Sequence, residues 1–374
     1  MKIITVQSSK GSYPIFVGVN LLAKAASLLE TYASGFKGAG LSRPKVMIVT
    51  QNPIACRHLR PVLKSFAGKR IKVYVHFVPD GEKAKSNFEL FRLYKSLISK
   101  DFERRDWLFA LGGGVVGDLT GFAASSYLRG VPFVNAGTTL LAQVDSSIGG
   151  KTGINLKEGK NLIGAFYPPK LVISDLEALR TLPHREFKAS LAEVVKYGII
   201  RSPQLFRLLE KEVKRVLAKD ISVLLPVVAL CARIKADVVS RDERETKGER
   251  MILNYGHTFG HAFEQALGFK TFVHGEAVSV GMVCAAALAV RLSLFSQANA
   301  RRQFELLRGL GLPVSLTGLN LRTNAILAAM ARDKKKKAGK LRFVLPEKIG
   351  RVVIREDIAL AAVRKIIQES GGKS

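Results

Sequence analysis

Apolar positions in the first half of the chain fall in short unbroken runs, separated by longer amphipathic stretches. Residues 46–50 (VMIVT), 73–78 (VYVHFV) and 107–111 (WLFAL) are apolar and partly β-branched. That texture predicts strands buried on both faces of a parallel sheet. Helical periods lie between them: over residues 86–98, Leu90, Leu93, Tyr94 and Leu97 share a face, and Ser86 stands where an N-cap belongs. Strands alternating with helices predict a doubly wound α/β sheet. After about Leu176 the period lengthens, with helical patterns at 186–200, 204–217, 223–239, 253–267, 276–297 and 300–310. A short β signal returns at 341–345 and 351–354. The expected organisation is an α/β domain over 1–176 and a mainly α-helical domain over 177–374, with the cleft between them as the default ligand site. No internal repeat stands out.

The strand at 107–111 runs into Gly112-Gly113-Gly114-Val115-Val116-Gly117-Asp118, with a helix expected from about Leu119. A strand–glycine–helix junction brings bare backbone N–H groups to a helix N-terminus, a geometry suited to a pyrophosphate. The spacing is not GxGxxG, and the junction follows the third strand signal rather than the first. An ordinary Rossmann dehydrogenase is therefore disfavoured. A second polar cluster, Asp80-Gly81-Glu82-Lys83-Ala84-Lys85, follows the strand at 73–78, where side chains can reach nucleotide hydroxyls. On its own it would pass for a turn and a helix cap.

The helical half carries a different chemistry. His257 and His261 are four residues apart, so on a helix they face the same way. His274 follows in a polar segment, His274-Gly275-Glu276, expected to be a loop. Imidazoles with one carboxylate and an open position form the pattern of a catalytic zinc site. Glu193 is the candidate carboxylate: it shares a helical face with Lys196 in an apolar setting, where an unpaired charge would be costly. A lone HxxxH is as often a pair of surface histidines; the third histidine and the buried-looking glutamate favour metal.

Composition alters this picture little. The chain has 374 residues and 59 Lys+Arg against 30 Asp+Glu, a net charge of +29. Such a surface favours anionic partners, but no nucleic-acid module is recognisable, and a solvated basic surface is the expected reading, the run 334–337 included. Cys56, Cys231 and Cys284 are widely spaced and odd in number, which argues against a disulfide framework and for a reducing compartment. The N-terminus reads as a strand without an apolar signal core. The longest apolar stretch, 277–290, is too short to span a bilayer and is expected to be a buried helix. A cytoplasmic protein without a membrane or nucleic-acid partner is the expectation.

The middle of the chain, from Tyr127 through Arg129, Thr138, Thr139, Asp145, Lys151, Lys160 and Asn161, is dense in glycine, hydroxyls and lysine, donors suited to phosphate or polyols. Here a resemblance becomes specific. GGGVVGDLTGFAAS (112–125), TTLLAQVDSSIGGKTG (138–153), GKNLIGAFYPP (159–169), LAEVVKYG (191–198), LNYGHTFGHA (253–262) and HGEAVSVGM (274–282) resemble, in order and spacing, the motifs of 3-dehydroquinate synthases. The match runs from about Ser12 to the segment 332–335. It implies a Rossmann-like NAD-binding α/β domain joined to a helical metal- and substrate-binding domain, in a homodimer.

The resemblance also implies roles. Glu193, His257 and His274 match the family's zinc ligands, with cobalt as a substitute; His261 then becomes a substrate-side residue. Asp80, Gly81, Glu82, Lys83, Ala84, Lys85, Gly114, Val115, Val116, Gly117, Asp118, Thr138, Thr139, Lys151, Lys160, Ala178, Leu179, Arg180 and Thr181 match NAD-contacting positions. Arg129, Asp145, Lys151, Asn161, Lys196, Lys235, Arg250, Asn254, His261 and Lys334 match substrate-binding or catalytic positions, Arg129 being supplied across the dimer interface. Gln51 stands where some members carry an acid for the ribose, Gly137 where proline usually precedes the threonine pair, and the segment 245–249 is one residue longer than in some members.

The implied substrate is 3-deoxy-D-arabino-heptulosonate 7-phosphate. The implied reaction is a transient oxidation by NAD, stepwise loss of phosphate with the substrate's own phosphate as base, re-reduction, ring opening and aldol closure to 3-dehydroquinate, on the route to aromatic amino acids. The runner-up is a sister sugar phosphate cyclase such as 2-deoxy-scyllo-inosose synthase, whose substrate lacks the carboxylate; it should lack part of the set Lys235, Arg250, Asn254 and Lys334, all present here. A polyol dehydrogenase of the same fold would release net NADH. An RNA-binding protein is suggested by charge alone.

Overall fold

The structure is a computed structural model that describes residues 1–32, 44–336 and 341–373, without the side chains of 333–336. The chain divides into two compact units, Met1–Leu182 with Leu224–Arg244, and Pro183–Val223 with Glu245–Ser374. This differs from a boundary after residue 176. The first unit runs on through a short turn to Leu182, and it takes back most of a helix expected in the second half. Lys235 on that helix is ion-paired with Asp145, and Ser240 and Glu243 bond the backbone of Gln7 and Ser9.

The first unit opens with a hairpin, β1 (Lys2–Ser8) and β2 (Gly11–Gly18), and a short helix α1 (Ala25–Tyr32). Then β3 (Lys45–Gln51), α2 (Asn52–Phe66), β4 (Lys72–Val78), α3 (Asn87–Ile98), β5 (Trp107–Gly112), α4 (Gly114–Ser126) and β6 (Phe133–Gly137) alternate. A second hairpin, β7 (Lys151–Leu156) and β8 (Gly159–Phe166), precedes β9 (Leu171–Asp175). The main sheet has the order β1-β2-β9-β6-β5-β3-β4, parallel except for the β1–β2 pair. The three strands read from apolar runs all form, and β5 is buried at every position; β4 differs from the expected burial on both faces, because it is the edge strand of the sheet and leaves Phe77 exposed. Ser86 caps α3, accepting from Glu89 N at 3.3 Å. From β3 the chain steps outward to β4, then returns past β3 to β5. The C-terminal ends of β3 and β5 therefore flank a topological switch, the place where open α/β sheets take ligands.

The second unit is mainly helical: α5 (His184–Ile200), α6 (Pro203–Leu217), α8 (His257–Ala266), α9 (His274–Arg291), α10 (Gln297–Gly309), α11 (Thr323–Lys336) and α12 (Leu360–Glu369), with a two-stranded sheet β10 (Phe343–Lys348) and β11 (Arg351–Arg355). The intervening α7 (Ile221–Arg241) belongs to the first unit from Leu224 on. Three expectations change here. The stretch 253–267 is not one helix: a 3-10 turn at Glu249–Asn254 ends before α8, because Gly256 turns the chain with φ +81°. The stretch 276–297 ends at Arg291, since Ser293 adopts φ +55° and Ser296 caps the next helix. His274 is the first residue of α9 rather than a loop residue. The apolar stretch 277–290 is a buried helix as expected, and no helix among the described residues is long and apolar enough to cross a membrane.

Candidate active site

Three helices of the second unit meet closely because glycines line their contacts. A Cβ on Gly275 would fall 1.9 Å from Ala189 O on α5, and one on Gly281 would fall 2.1 Å from Gly256 O. Only hydrogen fits at either place, so the start of α9 lies against α5 and its body against the start of α8. Glu193, His257 and His274 are carried to one point by that packing, their donor atoms all within 4.8 Å of one another.

Glu193 Oε1 stands 3.3 Å from His257 Nε2 and 3.5 Å from His274 Nε2. Two ligands about 2.0–2.2 Å from a tetrahedral ion stand roughly 3.3–3.6 Å apart, so the spacing fits a shared divalent cation. The far side of each ring is fixed. His257 Nδ1 donates to Tyr255 O at 3.1 Å, and His274 Nδ1 donates to Glu264 Oε2 at 3.1 Å. Those partners place a proton on each Nδ1, so Nε2 is the nitrogen of each ring that faces the carboxylate. The ring of His261 lies 5.3 Å from that of His257 and 5.9 Å from that of His274. It is exposed, beside the cluster rather than within it.

Electrostatics agree with a site for positive charge. Burial pushes the Glu193 carboxyl up, but the Lys196 ammonium and the His257 ring outweigh it and hold the group well below the usual carboxylate range. Lys196, 1% exposed, closes on Oε2 as an ion pair. Burial lowers His257. Burial also lowers His274, but Glu193 and Glu264 prevail and raise it to about 10. The position facing Glu193 therefore favours a cation.

In the first unit the expected cofactor residues collect at the C-terminal ends of the parallel strands. Asp80 to Lys85 follow β4, Gly114 to Asp118 follow β5, Thr138 and Thr139 follow β6, and Ala178 to Thr181 lie in a 3-10 turn (Leu176–Thr181) after β9. Gln51 ends β3 and donates from Nε2 to Pro79 O at 2.9 Å. The helix after the glycines starts at Gly114, not near Leu119: Gly117 N donates to Gly113 O at 3.1 Å, so the N–H groups of the helix start without an intrahelical acceptor are those of Gly114, Val115 and Val116. A Cβ at Gly113 would come within 3.0 Å of Thr139 Cγ2, and one at Gly114 within 3.0 Å of Ser146 Oγ. Lys85, 4% exposed, pairs with Asp118 at 2.5 Å and also bonds Asn161. Burial raises Asp118 to about 6, against the pull of Lys85.

The expected substrate residues fall in both units. Asp145 sits in a π-helical turn (Ala142–Ser146) and is ion-paired with Lys235; such turns recur at functional sites. Lys151 opens β7, and Lys160 and Asn161 lie on β8. Leu128, Arg129 and Gly130 have φ of +49°, +66° and +127°, three left-handed residues in succession. In the second unit, Arg250 and Asn254 lie in the 3-10 turn before α8, and Arg250 pairs with Glu245 at 3.3 Å. Lys334 is in α11; its side chain and all of Lys337 lie outside the described residues. Four participants escaped the sequence reading. Glu264 and Tyr255 hold the two rings, Ser146 faces the glycine turn, and Asn155 bonds Glu82 and the backbone of Asn161. Only Glu264 left a legible signal, its spacing of three from His261 on a helix.

A parallel sheet with a glycine turn at its switch point, and a Glu–His–His cluster on helices, define the class: proteins equipped for dinucleotide binding in one unit and metal-assisted chemistry in the other. Within that class, residues 75–189 match the 3-dehydroquinate synthase N-terminal family and residues 190–336 match the 3-dehydroquinate synthase C-terminal family. The chain belongs to the 3-dehydroquinate synthase family. It is 43% identical over 369 residues to the 3-dehydroquinate synthase of Desulforamulus reducens, covering 99% of this chain and 100% of that protein. A solved 2-epi-5-epi-valiolone synthase from Streptomyces hygroscopicus subsp. jinggangensis, with NAD+ and Zn2+ bound, superposes with a TM-score of 0.86 at 26% identity over 99% of each chain. A 2-deoxy-scyllo-inosose synthase, complexed with carbaglucose-6-phosphate, NAD+ and Co2+, does so with a TM-score of 0.86 at 25% identity over 99% of this chain and 100% of that one.

Proposed function

We propose that this protein converts 3-deoxy-D-arabino-heptulosonate 7-phosphate into 3-dehydroquinate and phosphate, with NAD and a divalent metal, zinc or cobalt, as cofactors. The observation that carries the reading is the approach of Glu193 Oε1 to both imidazole Nε2 atoms, 3.3 and 3.5 Å away, in a chain 43% identical to a 3-dehydroquinate synthase along nearly its whole length. The sister cyclases are less favoured: their solved representatives stand at 25–26% identity.

When bound, the ion would supply Lewis acidity toward a substrate hydroxyl and NAD would supply a reversible hydride acceptor. This chain's residues do the rest. Glu193, His257 and His274 hold the ion, and Lys196 balances the buried carboxylate from behind. Within the set Gly114 to Asp118, the first-turn N–H groups of Gly114, Val115 and Val116 suit the cofactor's pyrophosphate, which the dipole of α4 favours. The polar ends of β4, β6 and β9, at Asp80 to Lys85, Thr138 and Thr139, and Ala178 to Thr181, line the dinucleotide, with Lys151 and Lys160 completing the set. Lys151, Asn161, Lys196 and His261 suit the substrate's phosphate. Lys235, Arg250, Asn254 and Lys334 suit its carboxylate and hydroxyls, Arg250 through a fork matched to a carboxylate. Asp145 holds the Lys235 ammonium in place. The task these groups share is to keep one flexible molecule oriented through several steps.

A homodimer completes the proposal, with Arg129 reaching the partner's substrate. Its support is apolar exposure on the first unit: Phe88 and Phe91 on α3 are 67% and 61% exposed, and Leu162 and Ile163 on β8 are 51% and 40% exposed. The three left-handed residues around Arg129 are strain of the kind kept where a side chain must be presented. Sedimentation should give a dimer, and Ile163→Glu should give monomers. Cys56, Cys231 and Cys284 form no disulfide among the described residues, which supports a cytoplasmic setting.

The reaction is tested by incubating the purified protein with NAD, zinc or cobalt, and the heptulosonate phosphate. Phosphate and 3-dehydroquinate should appear in equal amounts with no accumulation of NADH. Accumulating NADH, or turnover without phosphate release, would refute the proposal.

A further inference from the structure

Glu264 is a charged group that the proposed chemistry leaves without a task. It lies on α8 three residues beyond His261, and its side chain is 8% exposed. Burying a carboxylate is costly unless it is paired. One partner here is His274, whose Nδ1 donates to Glu264 Oε2 at 3.1 Å while its Nε2 faces Glu193 Oε1 at 3.5 Å. The two imidazoles of the cluster are thus held unequally. His257 Nδ1 has a neutral acceptor, the carbonyl of Tyr255, and His274 Nδ1 has an anionic one. An anionic acceptor fixes the tautomer, orients the ring and makes the opposite nitrogen a stronger donor.

We infer that Glu264 is a positioning residue for the metal set, acting through His274. The inference rests on the reading of Glu193, His257 and His274 as ligands. A competing arrangement exists on the same helices: His261, Glu264 and His274 also bring donor atoms within 4.8 Å of one another. In that arrangement Glu264 would itself be a ligand and His274 would turn Nδ1 to the ion. The hydrogen bond from Nδ1 to Glu264 and the approach of Nε2 to a 1% exposed carboxylate assign Glu264 the accepting role instead.

The test is a zinc titration of the metal-stripped protein against a chromogenic chelator, for wild type, Glu264→Gln, Glu264→Asp and His257→Ala. Glu264→Gln should weaken zinc binding about 10- to 100-fold and shift the visible bands of the cobalt-loaded protein, with the melting temperature of the stripped protein little changed. Glu264→Asp should recover part of the affinity. Zinc affinity in Glu264→Gln within about twofold of wild type overturns the inference, as does a loss that is equal in Gln and Asp and follows a drop in melting temperature. If Glu264→Gln does not fold, ¹⁵N-histidine spectra of the zinc-loaded wild type decide. His274 should be protonated at Nδ1 and ligated through Nε2, and ligation through Nδ1 overturns the inference. Wild type that holds no zinc, or His257→Ala that holds it equally well, defeats the ligand reading itself. A silent Glu264→Gln beside a zinc-free His257→Ala defeats the positioning role alone.

Discussion

The two units bring their candidate groups together by opposite means. In the second unit the metal set rides on α5, α8 and α9, pressed together where a Cβ would collide with backbone, and every ring has a fixed partner on its far side. In the first unit the groups sit on strand ends, a π-helical turn, a hairpin and a run of left-handed residues, joined by the Lys85–Asp118–Asn161 and Asp145–Lys235 links. Helix packing sets ligand distances to a few tenths of an ångström, as a metal demands. Strand-end loops offer many backbone donors to a long cofactor and adjust more freely. The difference predicts that substitutions in one set should leave the other set's ligand bound.

The largest test of that separation is His257→Ala. Bound metal should vanish and turnover should fall by at least about 10⁴-fold, while NAD affinity measured by titration stays within a few-fold. A metal-replete His257→Ala protein would contradict the assignment.

Lys196→Met comes next. It leaves the Glu193 carboxylate buried beside two imidazoles without its ammonium, and should cost about 3–5 kcal/mol in denaturant unfolding of the metal-stripped protein. The pH dependence has a definite sign. Glu193 is depressed in the folded state, so its contribution is present above the ordinary carboxyl value near 4.5 and is lost as pH falls through the lower folded value. In Lys196→Met burial acts with less opposition, and acid unfolding should begin at higher pH.

Gly114→Ala probes the other region. The added methyl meets Ser146 Oγ at 3.0 Å, so NAD binding should weaken about tenfold, ~1.4 kcal/mol, with metal content unchanged. Joint loss of metal and NAD in this variant would show that the two sets are not separable. The smallest effect is expected for Arg185→Ala. Its bond to Glu276 at the start of α9 lies at the exposed rim and is worth about 0.2–1 kcal/mol. Zinc affinity should not move, because helix packing rather than this surface pair sets the position of His274.

The same contrast governs what the sequence made legible. The short parallel strands could be read because length and residue type carry them: five or six apolar, partly β-branched residues between turn signals suit a strand, whereas the longer apolar stretch at 277–290 suits a helix. His257, His261, His274 and Glu193 are chemically distinctive, but the resemblance rather than their spacing set His261 apart from the other two. Helix starts were harder. Three glycines disfavour a helix locally, yet α4 begins at Gly114, where its first turn runs close to other parts of the unit: a Cβ at Gly114 would stand 3.0 Å from Ser146 Oγ and one at Gly117 2.8 Å from Asn135 Nδ2. The break at Gly256 depends on a contact with Met282 and Val278 in another helix, which no local pattern announces. Most hidden were the long-range links. Lys85 and Asn161 are 76 residues apart and Lys235 and Asp145 are 90 apart, and the second pair returns α7 to the first unit against its sequence neighbours.

The account's central claim is tested most directly by anomalous scattering from crystals of the cobalt-loaded protein, collected at the cobalt edge. It predicts one peak about 2.0–2.2 Å from Glu193 Oε1 and from the Nε2 atoms of His257 and His274. A peak held instead by His261, Glu264 and His274 Nδ1, or no ordered cobalt within reach of Glu193, would contradict it.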